Sequence, residues 1–334
     1  MKGRRNGDCD PAGALSVSTT LHLLLPWQFS PTVLLTTGLA VALYVRGLAG
    51  TAPAVPYPRR IAYFAGVGFI YSALQTTCDY YAGHMFFVLQ LQHFVLHDLG
   101  PALLAAAAPG VTLHRGLPRW ARSWAGEWTG PGAPAALRAS GRPFRMLLDV
   151  RFATMLYIVT QLVWLLPPIF FDTMLSNPLY KLMSWCTVLG GLPFWHLMLD
   201  PRPHALGGLR LRQRFFALYF AMIPMTLVSA ALAFSQTNWF PVYAVCGRFL
   251  PISPVMDQEL GGSAMWIPGA ALFGIVFFMF LGRRLDRAEI ARHRAAGPPL
   301  ISSLEGTSRA HADPSRGTAE DPASASPVST IGHG

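Results

Sequence analysis

His93 and His97 stand one helical turn apart within Gly83-His84-Met85-Phe86-Phe87-Val88-Leu89-Gln90-Leu91-Gln92-His93-Phe94-Val95-Leu96-His97-Asp98, an otherwise apolar run. Ionisable groups are costly in hydrocarbon, so at membrane depth they face a bundle interior or a functional cavity. Residues four apart share a helix face. A histidine pair so placed suits copper, zinc or iron as neutral imidazole, or a proton relay. It equally suits interhelical hydrogen bonding, which polar side chains commonly supply in membrane bundles. His84 precedes His93 by nine residues, which on a straight helix is the opposite side and roughly 13 Å away. One straight helix therefore cannot bring all three histidines to a single ion. Asp98 is expected beside an arginine or a water-filled pocket.

Methionine supplies the other soft donor. Met85, Met174, Met183, Met256 and Met265 are expected in the outer half of the membrane, and thioethers select Cu(I). His84, Met85 and His93 are thus a candidate metal set, with copper the candidate ion. The competing role is packing, for which methionine is well suited. Met222 and Met225, the one MxxM pair, fall in the middle of a span. Cys78 and Cys246 fall at outer helix ends, as a disulfide or as two free thiols.

A further cluster runs through Tyr243-Ala244-Val245-Cys246-Gly247-Arg248, Asp257-Gln258-Glu259-Leu260-Gly261-Gly262 and Met265-Trp266-Ile267-Pro268-Gly269. Gly261 and Gly262 permit close backbone approach. Asp257 and Glu259 precede the last span, where negative charge complements a helix N-terminus. Arg248 is placed to pair with one of them.

The elements that must position these residues are membrane helices. Of 334 residues, 52% are hydrophobic and only 13% charged, with a mean hydropathy of +0.37. Soluble domains carry about 25% charged residues, so this is an all-α, polytopic membrane helix bundle. A span needs roughly 20 apolar residues. Seven segments qualify: 29–49, 61–78, 80–108, 150–170, 179–199, 213–235 and 262–282. The arginine-rich connections follow spans one, three, five and seven, which places the N-terminus outside and the C-terminus in the cytoplasm. The net charge of +10 then reflects cytoplasmic loops and not nucleic-acid binding. Met1 to Ser30 does not read as a signal peptide, since Pro26 interrupts its short apolar core. Three regions result: an extracytoplasmic segment over 1–28, the bundle over 29–285, and a cytoplasmic tail over 286–334 expected to be disordered. Trp120, Trp124 and Trp128 recur every four residues beside Arg119 and Arg122, as in a helix at the headgroup layer or in a solvated loop.

Those motifs, together with Gln92-His93…His97-Asp98-Leu99-Gly100-Pro101 and Phe194-Trp195…Leu199-Asp200-Pro201-Arg202-Pro203, resemble the CtaG family of cytochrome c oxidase assembly factors, tied to caa-type oxidases. The resemblance covers roughly residues 25–285. It implies a multi-pass protein of the bacterial inner membrane that matures a haem-copper oxidase, with oxidase subunits as partners and no catalytic reaction. It also marks Gln92, His93, His97, Asp98, Asp200, Arg202, Cys246, Arg248, Asp257, Gln258, Gly261, Gly262 and Trp266 as motif residues. The family often has histidines where this chain has Leu89 and Leu165, so part of any histidine metal site is missing. The alternative functions are a copper carrier supplying the oxidase and a membrane enzyme using His93 and His97.

Overall fold

The computed structural model describes residues 30–49, 54–123, 146–200 and 209–296. The N-terminal segment to residue 28, Trp124, Trp128, Arg202 with its Pro201 and Pro203, and the tail from residue 297 lie outside the described residues, as does the side chain of Cys246.

Every regular element among the described residues is helical. In chain order they are α1 Pro31–Leu48, α2 Tyr57–Gln75, α3 Thr77–Ala82, α4 Phe86–Phe94, α5 Gly100–Ala107, α6 Gly110–Gly116, α7 Val150–Leu162, α8 Pro167–Leu175, α9 Asn177–Leu199, α10 Leu211–Phe234, α11 Val242–Cys246 and α12 Pro254–Ala296. The expected all-α membrane bundle is what the chain forms. Among the described residues, four helices are long and apolar enough to cross a membrane: α1, α9, α10 and the Pro254–Gly282 part of α12. Two further spans arise if the α4–α5 run with α6, bent by 76°, and α7 with α8, bent by 74°, each count once. The expected second span corresponds to α2, which is less apolar because it opens on Arg59 and Arg60 and ends on Gln75.

The breaks have local causes. Leu166 precedes Pro167 and takes an extended backbone, since a following proline disfavours the helical region. Pro101 carries no N–H, so the carbonyl of His97 loses its usual partner one turn on. The chain answers with a π-helical turn over Val95–Leu99, in which the N–H of Gly100 reaches back to the carbonyl of Val95. Such widened turns recur at functional sites. The last helix begins at Pro254, eight residues before the expected boundary.

Two apolar clusters hold the middle of the bundle. One gathers Tyr157, Phe194, Trp195, Met198, Leu218, Phe273 and Phe280 from α7, α9, α10 and α12. The other gathers Phe86, Leu89, Phe170, Met183, Phe240 and Tyr243 around the start of α4. Residues 281–334 form a second unit, of which α12 contributes its last described turns.

Candidate functional site

The π turn carries the centre of the site. Within it, His97 is 1% exposed, and its ring stacks on Tyr157 with centroids 4.0 Å apart. The neighbouring Asp98 carboxylate accepts from the Tyr157 hydroxyl at 2.6 Å and from the Trp195 indole N–H at 3.3 Å, both through Oδ1. Its Oδ2 lies 3.9 Å from His97 Nδ1. No lysine or arginine pairs with Asp98 among the described residues, so of the two surroundings expected for it Asp98 has the pocket, a small cavity that it borders, and not the arginine. Tyr157 and Trp195 take that place. Two charge-free donors satisfy one carboxylate oxygen, which is how a buried acid is tolerated without an ion pair. On its far side His97 Nε2 is 3.4 Å from the Thr160 hydroxyl. A Cβ at Gly191 would strike the His97 carbonyl, so α9 packs backbone-close on the turn.

One turn earlier, His93 is 2% exposed and neither of its ring nitrogens has a hydrogen-bond partner. Gln90, on the same helix face, has both ends of its amide unpartnered as well. Buried polar groups are nearly always satisfied, so this layer stands out. Gln92, by contrast, is fully engaged: its amide donates to the Ala73 carbonyl at 2.6 Å and to Asp79 at 2.9 Å, and it accepts from Tyr180 at 3.0 Å. The Tyr180 hydroxyl also reaches Asp79 at 3.2 Å. Burial pushes the Asp79 carboxyl above its ordinary range, against those two hydrogen bonds.

The candidate metal set does not converge. His84 gives Nδ1 to the Tyr80 carbonyl at 2.8 Å and lies against the Tyr80 ring. Met85 is fully buried just before α4, and His93 is seven residues beyond the first residue of that helix, roughly 10 Å along its axis. No three His, Cys, Asp or Glu side chains come together as ligands among the described residues. His84, Met85 and His93 therefore do not fit a copper ion as one site. Cys78 is exposed and free.

The C-terminal motif serves architecture. Asp257 is 1% exposed, and its two carboxylate oxygens accept from the backbone N–H of Phe86 at 3.0 Å and of Phe87 at 3.1 Å. It thus caps α4, not the start of its own helix as the sequence suggests. Arg248 Nε stands 3.5 Å from Asp257, the expected pairing. The Gln258 amide accepts from the Trp239 N–H at 2.8 Å and donates to the carbonyls of Leu232 and Thr237, closing the end of α10. A Cβ at Gly261 would enter the Phe86 ring, and one at Gly262 would meet the backbone of Ser229 and Ala233. Trp266, on α12, is partly exposed and also borders the small cavity beside His97 and Asp98.

Asp200 is buried at the end of α9, where its carbonyl accepts from Arg214 at 2.7 Å. Arg214 also donates to the Met198 carbonyl at 2.9 Å, so it caps α9 from a neighbouring helix. Nothing in the sequence singles out Tyr157 or Tyr180, Trp195 stands out only within the family-like Phe194-Trp195 motif, and Asp79 and Arg214 gain their roles from partners on other helices. The hydroxyl and indole groups carried no spacing signal, but Arg214 inside an expected span was a visible anomaly.

Compared with known families, residues 39–286 match the one described as cytochrome c oxidase caa3 assembly factor. The chain belongs to that family. The match takes in every helix of the site from α4 to α12, including the π turn and the Asp257 cap. As a caa3 assembly factor, the protein is a membrane helix bundle acting in the maturation of cytochrome c oxidase. No curated protein and no solved structure matches it.

Proposed function

We propose that this caa3 assembly factor works in the bacterial inner membrane, N-terminus outside and C-terminus in the cytoplasm, by holding a nascent oxidase subunit through helix contacts and without covalent chemistry. The family match over residues 39–286 is the observation that carries the reading. The geometry agrees with it. Polar side chains turn inward and are mostly satisfied there, while Phe216, Tyr219, Leu227, Ile275 and Phe278 cover the outer faces of α10 and α12. Recognition on such a surface relies on packing and occasional interhelical hydrogen bonds. His93 is the functional residue of this reading. An imidazole kept buried without a partner costs stability, and a group retained at that cost is a candidate for function.

Deleting the gene should lower oxidase activity and the amount of assembled haem-copper subunit. Oxidase that matures normally in the deletion strain overturns the proposal. A reporter fused after Ala296 should behave as cytoplasmic, and a periplasmic reading there reverses the topology.

A further inference from the structure

Between α10 and α12 the bundle contains two adjacent spaces. The inner one is a cavity of about 40 Å³, bordered by His97, Asp98, Tyr157, Gln161, Thr226 and Ser229 on its polar side. That is room for one to three water-sized groups, taking roughly 15 Å³ for each. The outer one is an apolar groove of about 360 Å³ on the lateral face, between Leu218, Tyr219 and Phe277. Met222, Ala270 and Phe273 border both spaces, so the groove and the cavity lie side by side with these three residues between them. Each helix carries a proline beside this junction, Pro224 in α10 and Pro268 in α12, where a backbone hydrogen bond is missing.

The chemistry of the two spaces differs, and the difference specifies an occupant. Gln161 is 6% exposed, and its side-chain carbonyl has no hydrogen-bond partner. Asp98 Oδ2 has only the 3.9 Å contact with His97. The cavity therefore offers acceptors and calls for a donor. A phosphate headgroup has no donor to give, is too large for 40 Å³ and would face a buried acid. A helix from a partner, about 10 Å across, fills roughly 400 Å³ per turn and cannot enter either space. A single hydrocarbon chain ending in a hydroxyl satisfies both: the chain fills the groove, and the O–H donates to Gln161.

We infer that this lateral site binds a single-chain, hydroxyl-headed lipid, with Gln161 holding the hydroxyl and Ala270, Gly274 and Phe277 flanking the chain. The inference goes beyond the assembly role and does not depend on it.

The test uses the full chain in phospholipid vesicles and a long-chain alcohol bearing a photoreactive diazirine. Illumination should label α10 and α12, and excess unlabelled hexadecanol should reduce that label about tenfold more effectively than hexadecane, the worth of one hydrogen bond. A Cβ at Gly274 meets nothing within 4 Å, so the backbone there admits a side chain, and Gly274→Leu, on the wall of the groove, should abolish the label. Gln161→Leu should keep the label but lose the preference for alcohol over alkane. Equal competition by hexadecane in the parent protein, or undiminished label in Gly274→Leu, overturns the inference and leaves only bulk lipid contact. Preference retained in Gln161→Leu overturns the assignment of the head. Oxidase maturation enters none of these readouts, so the outcome is separate from that of the assembly proposal.

Discussion

Removing the Asp257 carboxylate should loosen the bundle at a helix that is 171 residues away in the chain. The side chain is buried and accepts two backbone N–H groups at 3.0 and 3.1 Å. A buried donor left unsatisfied costs about 1–3 kcal/mol. Asp257→Ala orphans two donors and leaves Arg248 without its counter-ion, so the loss should be ~2–5 kcal/mol. Asp257→Asn retains one acceptor oxygen and should lose only ~1–2 kcal/mol. At about 2–4 °C per kcal/mol for a domain approaching this size, alanine should lower Tm by on the order of 5–15 °C. Thermal unfolding in detergent, followed by tryptophan fluorescence, reads this directly. Glu259→Ala is the matched control, because that carboxylate accepts only an exposed contact from Gln236 at 3.3 Å, and it should leave Tm unchanged. Asp257→Ala melting with the parent, or equal damage in the asparagine and alanine variants, would show that the carboxylate does not hold the start of α4.

Four other outcomes follow from the same geometry. His93→Leu removes an unpartnered buried imidazole, so it should accumulate and melt at or above the parent, by about 1–3 kcal/mol of relieved penalty, while failing to mature oxidase; normal oxidase in that strain would falsify the role of His93. His97→Ala should be milder in the same oxidase assay. Tyr157→Phe deletes the 2.6 Å hydrogen bond to Asp98 and should cost ~1–3 kcal/mol, a loss that a cycle with Asp98→Asn should show to be coupled. Gly191→Ala drives a methyl group into the His97 carbonyl and should cost ~1–3 kcal/mol in the same melt, with α9 displaced from the π turn.

Much of the fold was legible because membrane helices announce themselves by composition. The long runs of α9, α10 and α12 needed only hydropathy to be found. The breaks in α4–α5 and α7–α8 were less legible, although Pro101 and Pro167 stood in plain sight. A proline can kink, widen or end a helix, and tertiary packing chooses among these. The polar segment Gln90–Asp98 stands out in the sequence, yet its partners cannot be read there. Tyr157, Trp195 and Tyr180 come from other helices, and no spacing rule links residues 59 to 101 apart. Asp257 shows the same limit from the opposite side. Its place before an expected helix suggested a local cap, and only the three-dimensional arrangement shows that it serves α4. The outer methionines illustrate the converse: a shared membrane half is not a shared site, and Met85 and Met183 are simply buried in the core.

The cap on α4 also has a consequence for how the chain is made. Phe86 and Phe87 leave the ribosome long before Asp257 does, so the start of α4 spends most of synthesis with two bare amides facing a nonpolar neighbourhood. Translation of the final helix is what closes that end. A chain cut short anywhere before Asp257 carries a permanent mark of incompleteness at α4.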